Sequence, residues 1–90
     1  MKRYLIETPH KAEDCLKVLD EELEKGPKIL GKFEYGCMAG DHTGYAIIDA
    51  KNREDALKIV PTFLQNSAKV VEVGKFTPAM IRSFHQQKAA

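Results

Sequence analysis

The sequence predicts a single α+β domain over residues 1–90, with a four-stranded antiparallel sheet, on three observations. A chain of 90 residues has room for one modest core. Segments of alternating polarity and segments with helical apolar stripes follow one another in the order β-α-β-β-α-β. A short helical segment then follows the last strand. That order predicts the ferredoxin-like arrangement, with both helices on one face of the sheet and a short C-terminal helix added.

The first quarter of the chain predicts a strand and a long helix. Residues 2–7 alternate in polarity and include Tyr, Leu and Ile, as a half-buried strand does. Residues 11–25 predict a helix that packs on one side, because its apolar residues recur at i, i+3 or i+4, and i+7. The predicted buried stripe consists of Ala12, Cys15, Leu16, Leu19 and Leu23. Gly26-Pro27 ends the helix.

The middle of the chain predicts a β-hairpin. Residues 29–38 and 43–50 are the predicted strands, joined by a two-residue turn at Gly40-Asp41. Side chains that alternate along the strands and pair across them would then place Cys37 opposite Gly44 on the face beneath the helices. The opposite face carries Tyr45 and Ile47 as apolar centres.

The remaining segments complete the order of elements. Asn52 is a predicted N-cap for a second helix reaching residue 64, and Pro61 is expected to kink it or divide it into two short helices. Residues 69–76 predict the fourth strand. Thr77-Pro78 predicts the start of the C-terminal helix, with an N-cap followed by Pro at the first helical position. Its apolar residues are Met80, Ile81 and Phe84.

Composition excludes several classes of function. The net charge is +1 and the basic residues are scattered, so neither nucleic acid nor a membrane surface is an expected partner. No apolar run approaches the roughly 18 residues of a transmembrane helix. The first residues lack the apolar core of a signal peptide, which favours a cytoplasmic location with two reduced thiols over a structural disulfide.

Four residues form the candidate site: His10, Cys15, Cys37 and His42. They occur as His-x4-Cys early in the chain and as the mirrored Cys-x4-His in the predicted hairpin. The predicted topology places the start of the first helix at the same edge of the sheet as that hairpin, so the four side chains are expected to converge. A tetrahedral Cys2His2 set suits zinc, and nickel or copper is also compatible with these ligand types.

Other interpretations of the same residues remain open. Cysteine often packs as a small buried hydrophobe, and the x4 spacing lies outside the usual zinc-knuckle pattern. The residues would then form a buried polar pocket, with Phe33 and Tyr35 as lining residues, or simply fill the core. A Cys37–His42 thiolate–imidazole pair is a further hypothesis. No catalytic triad, phosphate-binding loop or dinucleotide fingerprint is present, so no catalytic residue is assigned.

Two stretches carry a resemblance to a known group of proteins. Residues 44–50 (GYAIIDA) and 70–78 (VVEVGKFTP) resemble small stand-alone proteins of the dimeric α/β-barrel superfamily, similar to GYD-type and neighbouring domains. The resemblance implies a homodimer whose open sheet faces pack together, with a pocket between the sheet and the helices of each subunit. Members of the superfamily include muconolactone isomerase-like and antibiotic monooxygenase-like enzymes, but no catalytic motif of either matches this sequence.

Three hypotheses of function follow. The first is a homodimer that binds a metal ion, zinc or nickel, or a small molecule at the Cys/His cluster. The second is a cofactor-independent isomerase or monooxygenase-like enzyme that uses the same pocket. The third is a structural or regulatory dimerisation module. A fold of this kind hosts many chemistries, so the site has to decide among them.

Overall fold

The computed structural model describes the backbone of residues 1–89 and the side chains of residues 1–87. The elements are β1 (Lys2–Pro9), α1 (Cys15–Lys25), α2 (Pro27–Leu30), β2 (Glu34–Tyr35), β3 (Thr43–Ala50), α3 (Arg53–Leu57), β4 (Lys69–Glu72) and α4 (Pro78–Ala89). Single turns of 3-10 helix cover Ala12–Asp14, Cys37–Ala39 and Thr62–Leu64. Within residues 1–89, no helix has the length and apolar sequence needed to cross a membrane.

The four strands form one antiparallel sheet in the order β2-β3-β1-β4. The central β1 pairs with β3 along its whole length, from Lys2 opposite Ala50 to Pro9 opposite Thr43. The prediction of an α+β domain with a four-stranded antiparallel sheet and a C-terminal helix is therefore confirmed. The strand order is compatible with a ferredoxin-like arrangement.

The core lies on the face of the sheet that α1 and α3 cover. Alternate residues of β1 and β3 point into it, and Ile6, Val18 and Val60 are fully buried. The other buried apolar residues are Tyr4, Phe33, Ala46, Ala50, Ala56 and Leu64. The end of β1 and the start of α1 are thereby held at one edge of the sheet, which positions the candidate site.

The predicted strand over residues 29–38 is wrong in extent. Pro27 occupies the first position of a helical turn, α2, because its fixed φ suits that position. Only Glu34 and Tyr35 remain as strand, and residues 37–39 form a 3-10 turn. The predicted two-residue hairpin is wrong as well, since Gly44 pairs with Tyr35 rather than with Cys37. A shift of two residues keeps the paired strand residues on their predicted faces, whereas Cys37 lies outside the strand in the 3-10 turn.

The predicted buried stripe of α1 is also wrong in part. The helix turns Val18 and Glu22 inwards, with Cys15 on the same side, and leaves Leu16 73% and Leu23 54% exposed. The Sγ atom of Cys15 contacts two imidazoles at the edge of the sheet, so the first residue of the helix fixes the side that faces the core.

Pro61 divides the second helical region into two short helices, as predicted. α3 ends at Leu57, and the 3-10 turn Thr62–Leu64 follows the proline. The Nζ of Lys25 donates to the carbonyls of Lys58 and Val60 at 2.9 and 3.2 Å, and so satisfies acceptors that the broken helix leaves open. The predicted N-cap is present, because the side chain of Asn52 accepts from the backbone N–H of Asp55.

β4 is shorter than predicted, ending at Glu72 rather than residue 76. α4 begins at Pro78 as predicted, and the hydroxyl of Thr77 accepts a hydrogen bond from the backbone N–H of Met80 at 3.1 Å.

Gly44 is expected to be intolerant of a side chain. A Cβ atom there would lie 2.7 Å from Thr8 Oγ1 and 2.8 Å from Tyr35 Cε1. Thr8 Oγ1 is fixed because it contacts both the N–H and the carbonyl of Gly44, at 3.2 and 3.3 Å. We expect Gly44→Ala to lower the free energy of unfolding by about 1–3 kcal/mol, the usual cost of overpacking. Urea denaturation measures the change.

Gly74→Ala is the matched control, because no described atom lies within 4 Å of a Cβ at that position. Equal stability of Gly44→Ala and the wild type would show that the contact of Tyr35 and Thr8 with β3 is looser than the structure has it.

Candidate metal centre

His10 follows β1 directly and is anchored by backbone and side chain. Its backbone N–H donates to the carbonyl of His42 at 2.9 Å. Its Nδ1 lies 3.0 Å from the carbonyl of Thr8. A carbonyl oxygen only accepts, so Nδ1 carries the proton and Nε2 presents its lone pair. Metal-binding histidines are commonly oriented in this way, with the second ring nitrogen donating to a backbone carbonyl.

Cys15 is the central contact of the cluster. It is the first residue of α1, and its Sγ lies 3.3 Å from Nε2 of His10 and 3.1 Å from Nδ1 of His42. The 3-10 turn Ala12–Asp14 brings the chain from the edge of the sheet into the helix. His10 therefore lies before the helix rather than on it. The chain between the two residues can then turn so that the side chains of His10 and Cys15 approach one another.

Cys37 and His42 lie on a closed loop between β2 and β3. The N–H of Gly36 donates to the carbonyl of Thr43, and the N–H of Asp41 donates to the carbonyl of Gly36, both at 3.0 Å. Gly40 reverses the chain with a φ of 90°, a left-handed conformation that favours glycine. Through this reversal Cys37 Sγ lies 3.4 Å from Nε2 of His10.

The candidate ligand atoms of His10, Cys15, Cys37 and His42 all lie within 4.8 Å of one another, and the four side chains are half-buried. Zinc bonds of about 2.3 Å to sulfur and 2.0–2.1 Å to nitrogen place neighbouring ligands of a tetrahedron about 3.3–3.8 Å apart. The three distances of 3.1–3.4 Å between thiols and imidazoles are close to that range. The cluster thus needs only small side-chain adjustments to surround one ion.

Metal binding at the cluster would be coupled to the loss of thiol protons. Burial, followed by the adjacent Cys15 thiol, raises the pKa of the Cys37 thiol above its ordinary value. Two thiolates side by side repel one another, and a divalent ion at the centre would remove that repulsion. The half-buried position leaves the ion a path from solvent.

Asp41 orders the loop that carries His42. Its carboxylate accepts hydrogen bonds from the hydroxyl of Thr43 at 2.8 Å and from the phenol of Tyr45. These bonds, that of Tyr45 first, lower the pKa of the Asp41 carboxyl. Sequence reasoning placed Asp41 only in the turn of the predicted hairpin. The spacing Asp-x-Thr-x-Tyr was the available signal, because alternate residues of a strand reach the same side.

The structure brings together all four residues singled out as metal ligands. His85, the third histidine, lies exposed on α4 and takes no part. Phe33 and Tyr35 stack with ring centroids 5.9 Å apart on the covered face of the sheet, and their role as pocket-lining residues stays a prediction.

Sequence reasoning missed Glu22. It is fully buried, and neither carboxylate oxygen has a hydrogen-bond partner among the described residues; the same is true of the Tyr35 hydroxyl. Burial raises the pKa of Glu22 to about 7, against the opposing effect of Lys25. The signal was its spacing, since residues 15, 18 and 22 share one side of a helix.

No protein-family model, curated protein or solved structure matches this chain. The function therefore has to be argued from the site itself.

Proposed function

We propose that this protein binds one transition-metal ion, zinc in preference to nickel, through His10, Cys15, Cys37 and His42. The observation that carries the proposal is the convergence of two thiols and two imidazoles, from distant segments, to within 4.8 Å. The hydrogen bond from Nδ1 of His10 to the Thr8 carbonyl supports it, because it leaves Nε2 free to coordinate. A mixed sulfur and nitrogen set without planar constraint favours tetrahedral zinc over square-planar nickel.

The proposed role is binding rather than catalysis by the metal. Four protein ligands complete a tetrahedral shell, as in structural zinc sites, whereas catalytic sites keep one position for water or substrate. The ion would join the end of β1, the start of α1 and the loop before β3. Metal binding would therefore stabilise this edge of the domain.

Elemental analysis of the untagged, purified protein tests the proposal, alongside Cys37→Ser and His42→Ala. We expect close to one metal ion per chain in the wild type and a large loss in both variants. His85→Ala is the matched control, since it removes a histidine outside the cluster and should keep the ion. A wild type that stays metal-free after incubation with zinc and dialysis would contradict the proposal.

A second candidate rests on one contact. Cys15 Sγ and His42 Nδ1 are 3.1 Å apart, which is the arrangement of a thiol activated by an imidazole base. In a protein that binds no metal, this pair would support nucleophilic chemistry. Faster alkylation of Cys15 by iodoacetamide in the wild type than in His42→Ala would favour it, and equal rates would dismiss it.

We also propose that the domain is ferredoxin-like and forms a homodimer through its open sheet face. The strand order β2-β3-β1-β4 and the antiparallel pairing support the first statement. The second is supported by a row of apolar side chains, because Leu5 pairs with Ile47 on one side and with Val71 on the other. Ile47 is 54% exposed at the centre of that row. The resemblance to dimeric α/β-barrel proteins implies the same contact.

A further inference from the structure

The C-terminal segment lies apart from the compact body of the domain. The molecule measures 54 Å along its longest axis against 28 and 22 Å across it, and its radius of gyration is 16.6 Å. A compact chain of 90 residues has a radius of gyration of about 12 Å. After the bond from the Val73 N–H to the Arg3 carbonyl, the chain leaves the sheet and forms α4. We call residues 73–89 the arm.

The arm carries an apolar stripe that is exposed to solvent. Met80, Ile81 and Phe84 share one side of α4 and are between 40% and 47% exposed, and Phe76 is 68% exposed beside Phe84. A single helix of 12 residues has marginal stability in water without tertiary packing. α4 would therefore gain stability from a surface onto which the stripe packs.

α1 carries a second apolar stripe, which is also largely exposed to solvent. Leu16, Leu19 and Leu23 are spaced i, i+3 and i+7, and Leu16 and Leu23 are largely exposed although the pattern is that of a packed helix. Exposed acidic residues flank these leucines on the side away from the sheet: Glu13, Asp20 and Glu24. We call the leucines and these acids the α1 stripe.

The charges of the arm and the α1 stripe are complementary. Residues 73–90 contain Lys75, Arg82 and Lys88 and no acidic residue. Eleven Lys or Arg then remain against thirteen Asp or Glu in residues 1–72, so the body is the acidic part of the chain. An apolar helix with basic flanks fits an apolar helix with acidic flanks, and charge complementarity selects such pairs.

We propose that the arm of one copy packs on the α1 stripe of a second copy, in a reciprocal exchange. The extended position of the arm favours a second copy over the arm's own α1. A two-fold axis makes the two contacts identical, so neither arm is left uncovered. Each contact would then bury apolar residues of the arm against the leucines of the α1 stripe, with basic residues of the arm facing acidic residues of the stripe. The inference does not depend on metal binding.

Sedimentation equilibrium of the full chain tests the proposal with two pairs of variants. Phe84→Ser on the arm and Leu23→Ser on the α1 stripe each remove an apolar side chain that the contact would bury. We expect each to weaken dimerisation at least about tenfold, from the free energy of burying such a side chain. Met38→Ser is the control, because Met38 is fully exposed and lies outside both surfaces.

Charge reversal gives the second pair. Lys75→Glu with Arg82→Glu, and separately Asp20→Lys with Glu24→Lys, should each weaken association. All four substitutions in one chain should restore it. Restoration would support the contact between these two surfaces, whereas additive weakening would overturn it.

Ile47→Glu separates this proposal from the sheet-face dimer. A dimer that Ile47→Glu dissociates, but that every arm and α1 variant leaves intact, would overturn the arm exchange and keep the sheet contact. A monomeric wild type at all concentrations would overturn both. Circular dichroism of each variant confirms that a lost dimer is not a lost fold.

Discussion

Replacing Cys15 by serine is expected to weaken zinc binding at least about 100-fold, since removal of even outer-shell partners costs 10–100-fold in metal affinity. Cys15 Sγ contacts both imidazoles of the cluster. Its loss therefore removes one ligand and also the contact that holds the other two ligands, His10 and His42, at their present distance. A serine hydroxyl of similar size is a poor ligand for zinc, because it does not ionise at neutral pH. Competition with a chromophoric chelator measures the affinity.

The same substitution is expected to remove most of the stabilisation of the fold by zinc. A ligand at 1,000 times its dissociation constant raises the free energy of unfolding by about 4 kcal/mol when it binds the folded state alone. The wild type should therefore unfold at a higher urea concentration with zinc than with a chelator. In Cys15→Ser a 100-fold weaker site keeps at most about 1.4 kcal/mol of stabilisation at the same zinc concentration, so the difference should be much smaller. A variant that keeps the wild-type response to zinc would contradict the assignment of Cys15.

Replacing Glu22 by glutamine is expected to stabilise the protein above pH 7. The folded state raises the pKa of Glu22 from 4.5 to about 7 by burying the carboxyl, so the folded chain holds a proton that the unfolded chain has released. The stability that the neutral carboxyl contributes is complete below pH 4.5 and declines as the pH rises to about 7. A shift of this size corresponds to about 3 kcal/mol.

Glutamine is neutral at every pH, so the decline should be absent in Glu22→Gln. The test is urea denaturation between pH 4.5 and 8.5, with a chelator present so that the metal centre does not contribute. The free energy of unfolding of Glu22→Gln minus that of the wild type should rise by about 3 kcal/mol over this range. Glu24→Gln, on the exposed side of α1, is the matched control and should show no such growth. A difference independent of pH would mean that Glu22 is ionised and solvated in the folded chain.

The four candidate ligands were found from the sequence because two independent signals agreed. The mirrored spacing of His10–Cys15 and Cys37–His42 named the residues, and the order of elements placed both segments at one edge of the sheet. The error in the hairpin did not separate them, because β2 pairs with β3 two residues away from the predicted register and keeps the predicted face. Convergence depended on topology rather than on the turn.

The orientation of α1 was not predictable from its pattern. Apolar spacing favoured Leu16 and Leu23 as buried residues, yet the helix buries Glu22 instead. A hydrophobic stripe identifies the side of a helix that packs, but not whether it packs within its own chain or on a partner. The orientation of α1 is fixed by the contact of Cys15 with His42, which lies 27 residues further along the chain. A local sequence pattern cannot predict such a contact. The sequence did place Glu22 two helical turns after Cys15, and this spacing puts both residues on the same side of α1.

X-ray absorption spectroscopy of the zinc-loaded protein tests the metal centre most directly, because it identifies the atoms bound to the ion. The site proposed here predicts two sulfur atoms at about 2.3 Å and two nitrogen atoms at about 2.0–2.1 Å. In Cys37→Ser, the zinc that remains bound in excess zinc should have one sulfur atom. His85→Ala should give the wild-type spectrum. A first shell of oxygen and nitrogen alone would contradict a Cys2His2 centre, and would mean that zinc binds elsewhere on the chain.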